Sequence, residues 1–146
     1  MSQLKKQLVG ERYKQALYAV TGILWLSGIV WLYFRYVASG HDELGPQTHP
    51  WQTASLRIHG AAVMIFLIVF GMLLYHIPPG WRQKYQRPSG LSLITSSLIL
   101  ILSGWGLYYF GNEHARNVTS LVHSVLGCAL PAVIFFHVYN ASRHRK

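Results

Sequence analysis

Histidine is the residue in this sequence best suited to chemistry, because eight histidines stand against only four acidic residues among 146. A neutral imidazole offers a nitrogen lone pair to a transition metal, and it can gain a proton near physiological pH. Four of the eight lie in long apolar stretches, His59 and His76 in one and His123 and His137 in another. The single cysteine, Cys128, excludes an intramolecular disulfide and a cysteine-rich zinc site. Candidate chemistry therefore centres on the four apolar-flanked histidines.

The composition predicts that these histidines lie in a membrane. Apolar residues make up 51% of the chain and charged residues only 12%, about half the charged share of a soluble domain. A bilayer span needs about 20 mostly apolar residues, and four stretches qualify: 15–37, 53–77, 91–110 and 117–140. We expect an all-α, integral membrane four-helix bundle that forms one domain over residues 1–146. The first apolar run is longer than the core of a signal peptide, so we expect it to remain as a span.

Lysine and arginine are unequally divided between the two sides of the predicted spans. Ten of the thirteen belong to the termini and the loop after span two: Lys5, Lys6, Arg12, Lys14, Arg82, Lys84, Arg87, Arg143, Arg145 and Lys146. The other three, Arg35, Arg57 and Arg116, lie on the opposite side. The positive-inside rule then predicts that both termini are cytoplasmic, in a multi-pass protein of the bacterial inner (plasma) membrane. Topology thus accounts for the net charge of +9, and we expect no nucleic-acid partner.

Spans one and three contain a repeated sequence. Residues 24–34 (LWLSGIVWLYF) and 100–110 (LILSGWGLYYF) match at six of eleven positions when offset by 76. Apolar segments can share letters by chance, but the two spans also share a direction and each precedes a histidine-bearing span. We therefore expect two repeated helical hairpins. The Ser-Gly pairs at 27–28 and 103–104 predict a close backbone approach, either to another helix or to a flat ligand.

The histidines fall at two depths in this arrangement, because spans two and four run in the same direction. His59 and His123 lie near the outer face. His76 and His137 lie near the inner face. The 14 residues from His123 to His137 give about 21 Å of rise and four whole turns at a period of about 3.5, so both rings share a face. The 17 residues from His59 to His76 give about 25 Å and a rotation of about 50°, which is a poorer match. One imidazole from each span per level suits two bis-histidine haems stacked through a bilayer.

This layout resembles the superfamily of small four-helix b-type cytochromes of bacterial membranes, which includes membrane cytochrome subunits of nickel hydrogenases and formate dehydrogenases. The resemblance covers about residues 15–140. It is carried by H-x13-H in span four (His123 and His137) and by His59-Gly60 and His76 in span two, where the H-x16-H spacing departs from the commoner one. It implies that the four histidines are axial ligands of the irons of two haems b. It also implies electron transfer between a quinone and a partner redox protein, either a subunit or a soluble cytochrome.

Several alternatives stay open at the level of sequence. Arg35 and Arg57 lie at the outer interface, where they can pair with haem propionates or extend to lipid headgroups. The protein can hold one haem rather than two, or none. Without haem it would be a scaffold or assembly subunit, or a small transporter that uses histidines as proton relays. No predicted span contains Asp or Glu, which disfavours the transporter. In the cytochrome interpretation the chain is an electron-transfer subunit rather than a stand-alone enzyme.

Overall fold

The computed structural model describes residues 3–38, 40–42, 45–74 and 87–143. Within these residues the chain forms four long helices and two short strands. In chain order they are α1 (Gln3–Tyr36), β1 (Gly40–Asp42), β2 (Gly45–Gln47), α2 (Pro50–Leu74), α3 (Arg87–Tyr109) and α4 (Glu113–Arg143). The predicted all-α fold class is confirmed.

Each of the four helices contains a segment that is long and apolar enough to cross a membrane. These segments are Gly10–Tyr36, Pro50–Met72, Arg87–Tyr109 and Glu113–Arg143. Many large hydrophobic side chains on them are exposed, as in Leu26, Ile68 and Phe135. In water such a surface would be unstable, whereas lipid tails are as apolar as these side chains. The length and composition of the helices therefore define a multi-pass membrane protein.

The chain divides into two compact units, Met1–Tyr75 and His76–Lys146. In the first, α1 packs against α2, and in the second, α3 packs against α4. We call these units the first hairpin and the second hairpin. They coincide in sequence with the two halves of the predicted repeat.

Most of the buried residues in the described part of each hairpin are small or polar. In the first hairpin the buried residues are Val20, Thr21, Ser27, Gln52, Ser55, Ala62, Val69 and Phe70. In α3 they are Ser97, Ser103 and Gly106. Small residues let helix backbones approach closely where no hydrophobic force drives them together. This close approach brings the backbone of one helix within reach of the histidines on the other.

α3 and α4 each begin four residues earlier than the apolar pattern predicts. α3 begins at Arg87 rather than 91, because Pro88 suits the first turn, where its missing N–H would have no partner in the helix. α4 begins at Glu113 rather than 117, because Asn112 caps it. The Asn112 side-chain oxygen accepts a hydrogen bond of 3.0 Å from the Ala115 N–H. Because α3 begins at Arg87, Ser89 is helical and lies on a defined face of that helix.

The first hairpin differs from prediction at both ends of α1. This helix begins at Gln3 rather than 15, because the preceding segment is rich in Gln, Lys, Glu and Leu, which favour helix even where they are not apolar. The Lys14 ammonium pairs with the Glu11 carboxylate there at 2.9 Å. The connection from α1 to α2 holds the antiparallel strands β1 and β2, with Gly40 opposite Gln47. The predicted end of span two, residues 75–77, lies outside the described residues.

Candidate functional site

His59 of α2 lies against the backbone of α1. Its Nδ1 is 3.0 Å from the Ser27 hydroxyl. The same hydroxyl donates a hydrogen bond of 3.0 Å to the carbonyl of Leu24, one turn earlier. A Cβ built on Gly28 would lie 3.6 Å from His59 Cε1. The glycine therefore lets the ring rest on the helix surface while the neighbouring serine holds its Nδ1.

The second hairpin repeats this arrangement at His123. Nδ1 of that ring is 2.9 Å from the Ser103 hydroxyl, which donates a hydrogen bond of 3.2 Å to the Leu100 carbonyl. A Cβ on Gly104 would lie 3.3 Å from His123 Cε1. The predicted close approach at both Ser-Gly pairs is thus present, and what approaches within each hairpin is a histidine ring.

A third ring of the same kind lies further along the second hairpin. Nδ1 of His137 is 3.0 Å from the Ser89 hydroxyl, and a Cβ on Gly90 would lie 3.7 Å from His137 Cε1. All three rings are partly buried. In every case the Nδ1 atom, rather than Nε2, faces a serine of the neighbouring helix.

The spacing of these residues explains why both rings of α4 meet α3 in the same way. Ser89 and Ser103 are 14 residues apart, and so are His123 and His137. In an antiparallel pair, equal steps along both helices preserve the contact. The sequence signal is therefore S-G-x12-S-G on one helix matched by H-x13-H on the other. It is easily missed, because Pro88-Ser89-Gly90 also reads as the segment that precedes a helix.

In the first hairpin, the positions equivalent to Ser89 and His137 are not a serine and a histidine. The repeat offset of 76 relates Ser89 to Tyr13, and the offset of 64 between His59 and His123 relates His137 to Leu73. The Tyr13 hydroxyl donates a hydrogen bond of 2.8 Å to the Val69 carbonyl. His76, the predicted inner ligand of this hairpin, is three positions beyond the equivalent site. It lies outside the described residues, so its role as a ligand stays a prediction.

Arg35 and Arg57 are both exposed. Arg35 lies in the last turn of α1, where a cation is favoured by the helix dipole. Arg57 precedes His59 by two positions on α2, which separates the two side-chain directions by about 200°. Their predicted pairing with haem propionates stays a prediction.

The chemistry of the three partly buried histidines is compatible with holding a haem. No three His, Cys, Asp or Glu side chains in residues 3–38, 40–42, 45–74 and 87–143 come together as a metal site. A haem brings its own four nitrogens and needs at most two side chains from the protein, and imidazole is a common choice. His59, His123 and His137 are such side chains, each held through Nδ1 beside a glycine.

No family model, curated protein or solved structure matches this chain. The fold defines a multi-pass, all-α membrane protein.

Proposed function

We propose that the protein is a b-type cytochrome of the bacterial plasma membrane that carries electrons through noncovalently bound haem b. His59 and His123 are the axial ligands of an outer haem, and His76 and His137 those of an inner one. The observation that carries the proposal is the recurrence of one arrangement, Nδ1 on a serine beside a glycine, at His59 and at His123. Two hairpins that each offer one ring in the same way supply the two ligands that a bis-histidine haem needs.

The chain contributes ligands, orientation and a dry surrounding. When bound, haem would supply the electron-transfer chemistry. His59 with His123, and His76 with His137, would each hold one haem, and two imidazoles for one haem favour electron transfer over oxygen chemistry. The apolar helix surfaces exclude water, which affects the redox potential.

The partners of this cytochrome are the lipid bilayer, a quinone and a second redox protein. Besides its helices, the described chain has only a small β-hairpin between α1 and α2 and a short connection between α3 and α4. Neither segment is large enough to hold a redox domain. A partner subunit or a soluble cytochrome would therefore exchange electrons with this protein.

A reduced-minus-oxidised absorption spectrum tests the proposal. The protein, expressed with adequate haem supply and purified in detergent, should show the bands of low-spin haem b. Acid–acetone should extract that haem completely, since Cys128 is the only thiol and cannot form a C-x-x-C-H attachment. Haem retained through extraction, or no haem in the wild-type protein, would contradict the proposal.

Substitution of single ligands then assigns the sites. His59→Ala, His123→Ala and His137→Ala should each remove or convert about one haem per chain, because the other iron is about 20 Å away and independent. His114→Ala is the matched control, since that histidine is exposed in the first turn of α4. If the three ligand variants retained the spectrum and haem content of His114→Ala, these histidines would not be the haem ligands, and the assignment of both sites would be overturned.

A further inference from the structure

We infer that Ser27 and Ser103 are positioning residues that fix the tautomer of His59 and His123, so that Nε2 of each ring is the atom offered to iron. This inference rests on the proposed function and deepens it. It assigns a role to two residues that touch neither iron nor porphyrin in that function. They act through the rings that they hold.

The serine hydroxyls determine where the proton of each histidine ring lies. A hydroxyl has one proton to donate and two lone pairs that accept. Ser27 lies 3.0 Å from the Leu24 carbonyl oxygen, which can only accept. The Ser27 proton therefore goes to that carbonyl, a common bond for serine within a helix. The contact with His59 then requires the imidazole to donate.

The proton of each neutral ring lies on the nitrogen that faces the serine. The atom of His59 that faces Ser27 is Nδ1, so Nδ1 carries the hydrogen and Nε2 carries the lone pair of the neutral ring. The same reasoning holds at Ser103, which faces the Leu100 carbonyl on one side and Nδ1 of His123 on the other. Both outer histidines thus have one tautomer, assigned by the hydrogen-bond network.

The hydrogen bond to Nδ1 also affects a ring whose Nε2 binds a metal. A partner on the second ring nitrogen fixes the ring orientation and raises the basicity of the ligand. The chain from imidazole to hydroxyl to carbonyl polarises each bond further. A more basic imidazole stabilises ferric iron more than ferrous iron. The two serines therefore lower the midpoint potential of the outer haem.

The glycines complete the positioning. Gly28 and Gly104 leave room for Cε1 of the two rings beside the helix backbone, while the buried serine hydroxyls hold the adjacent Nδ1 atoms. Each ring is thereby located by a steric contact and a hydrogen bond at neighbouring atoms. Because both hairpins use the same pair of residues, the two ligands of one iron receive the same orientation device.

The test replaces each serine in the full-length, haem-loaded protein. Ser27→Ala and Ser103→Ala should weaken haem binding about 10-fold or more, as loss of an outer-shell partner does. If the tenfold loss of haem affinity affects only the ferric form, the midpoint potential rises by about 59 mV. The EPR signal of the ferric low-spin haem should change as well, because the ring is free to rotate. Ser27→Thr and Ser103→Thr keep the hydroxyl and should restore both readouts.

Two buried serines other than the histidine-facing ones serve as controls. Ser97 lies on α3 between the two histidine-facing serines, and Ser55 lies on α2 with its hydroxyl bonded to the Gln52 carbonyl. Ser97→Ala and Ser55→Ala should leave the potential and the EPR signal unchanged. An equal shift in these controls would show a general packing effect and overturn the inference.

A haem-independent measurement separates the two proposals. In full-length protein prepared without haem and labelled with ¹⁵N-histidine, the spectra should show Nδ1–H rings for His59 and His123, assigned by His→Ala variants. Nε2–H rings in the wild-type protein would overturn the inference. Unchanged potential and EPR in the two alanine variants, alongside haem loss in His123→Ala, would overturn the inference and leave the cytochrome proposal intact. Absence of haem from the wild-type protein would overturn the cytochrome proposal itself.

Discussion

At the scale of single residues, the space between each histidine ring and its glycine differs among the three sites. A Cβ on Gly104 would lie 3.3 Å from the His123 ring, against 3.6 Å for Gly28 and 3.7 Å for Gly90 at their own rings. The first distance requires the ring to move by a few tenths of an ångström, whereas the others are ordinary contacts. The site at His123 is therefore the most sensitive to an added methyl group.

This difference predicts that Gly104→Ala weakens haem binding more than Gly28→Ala. Overpacking of about 1 kcal/mol corresponds to a roughly fivefold loss of affinity. Haem titration of the two purified variants measures it. Gly22→Ala is the control on α1, because no atom lies within 4 Å of the added Cβ. Equal affinities for Gly104→Ala and Gly28→Ala would contradict the prediction.

The sequence predicts the important residues better than their contacts. The histidines and the Ser-Gly pairs at 27–28 and 103–104 stand out from composition and repetition alone. Which serine meets which histidine depends on the register of two antiparallel helices, and hydrophobic periodicity does not determine register across a connection. Ser89 shows this most clearly, because its contact with His137 requires α3 to begin before residue 89, and the apolar run begins only after it.

At the scale of helices, apolar length predicts the number of spans and misplaces their ends. A hydropathy window stops where polar residues begin, whereas a helix continues until its backbone groups find a cap. α4 illustrates the point, since it begins at Asn112-Glu113, before the apolar run, and carries Arg143 in its last turn. Its N-terminal end is therefore stabilised by the Asn112 side chain rather than by lipid.

We expect Asn112→Ala to destabilise the protein by about 1 kcal/mol, because the Ala115 N–H loses its side-chain acceptor. Denaturant unfolding in detergent, followed by circular dichroism, measures the change. Asn117→Ala is the matched control, since this exposed residue lies within the same helix, where alanine is the better helix former. A loss in Asn117→Ala as large as that in Asn112→Ala would rule out the capping explanation.

The unequal hairpins give a second prediction at this scale. Tyr13 and Leu73 occupy the positions that Ser89 and His137 occupy in the second hairpin. Tyr13→Ser and Lys14→Gly with Leu73→His should therefore restore the haem content of His76→Ala to the wild-type value, as measured by pyridine haemochrome. Leu74→His in place of Leu73→His should fail, because one residue turns the side chain by about 100°. Equal restoration by both would show that the repeat register does not govern the inner site.

At the scale of the whole molecule, the two hairpins repeat the same order of helices, but the connection between the two helices is longer in the first hairpin than in the second. The offset is 76 between α1 and α3 and 64 between α2 and α4, and the longer connection that holds β1 and β2 takes up the difference. The insertion therefore leaves the serine–histidine register of the first hairpin equal to that of the second. A duplicated hairpin explains why the outer histidines correspond. The duplication does not determine which histidines lie at the same depth in the membrane. That depends on the direction in which each span crosses the bilayer.

That direction is predicted by charge. Ten of the thirteen basic residues lie on the side of the two termini and the loop after span two, so the positive-inside rule predicts cytoplasmic termini. Reporter fusions at Gln47 and at His144 should report opposite sides, with Gln47 outside, because an odd number of spans separates them. An alkaline phosphatase fusion should be active at Gln47 and a fluorescent-protein fusion should be bright at His144. If both positions reported the same side, spans two and four would no longer be known to run in parallel. The prediction that His59 and His123 share a depth would then lose its basis, and the assignment of one haem to this pair would be overturned.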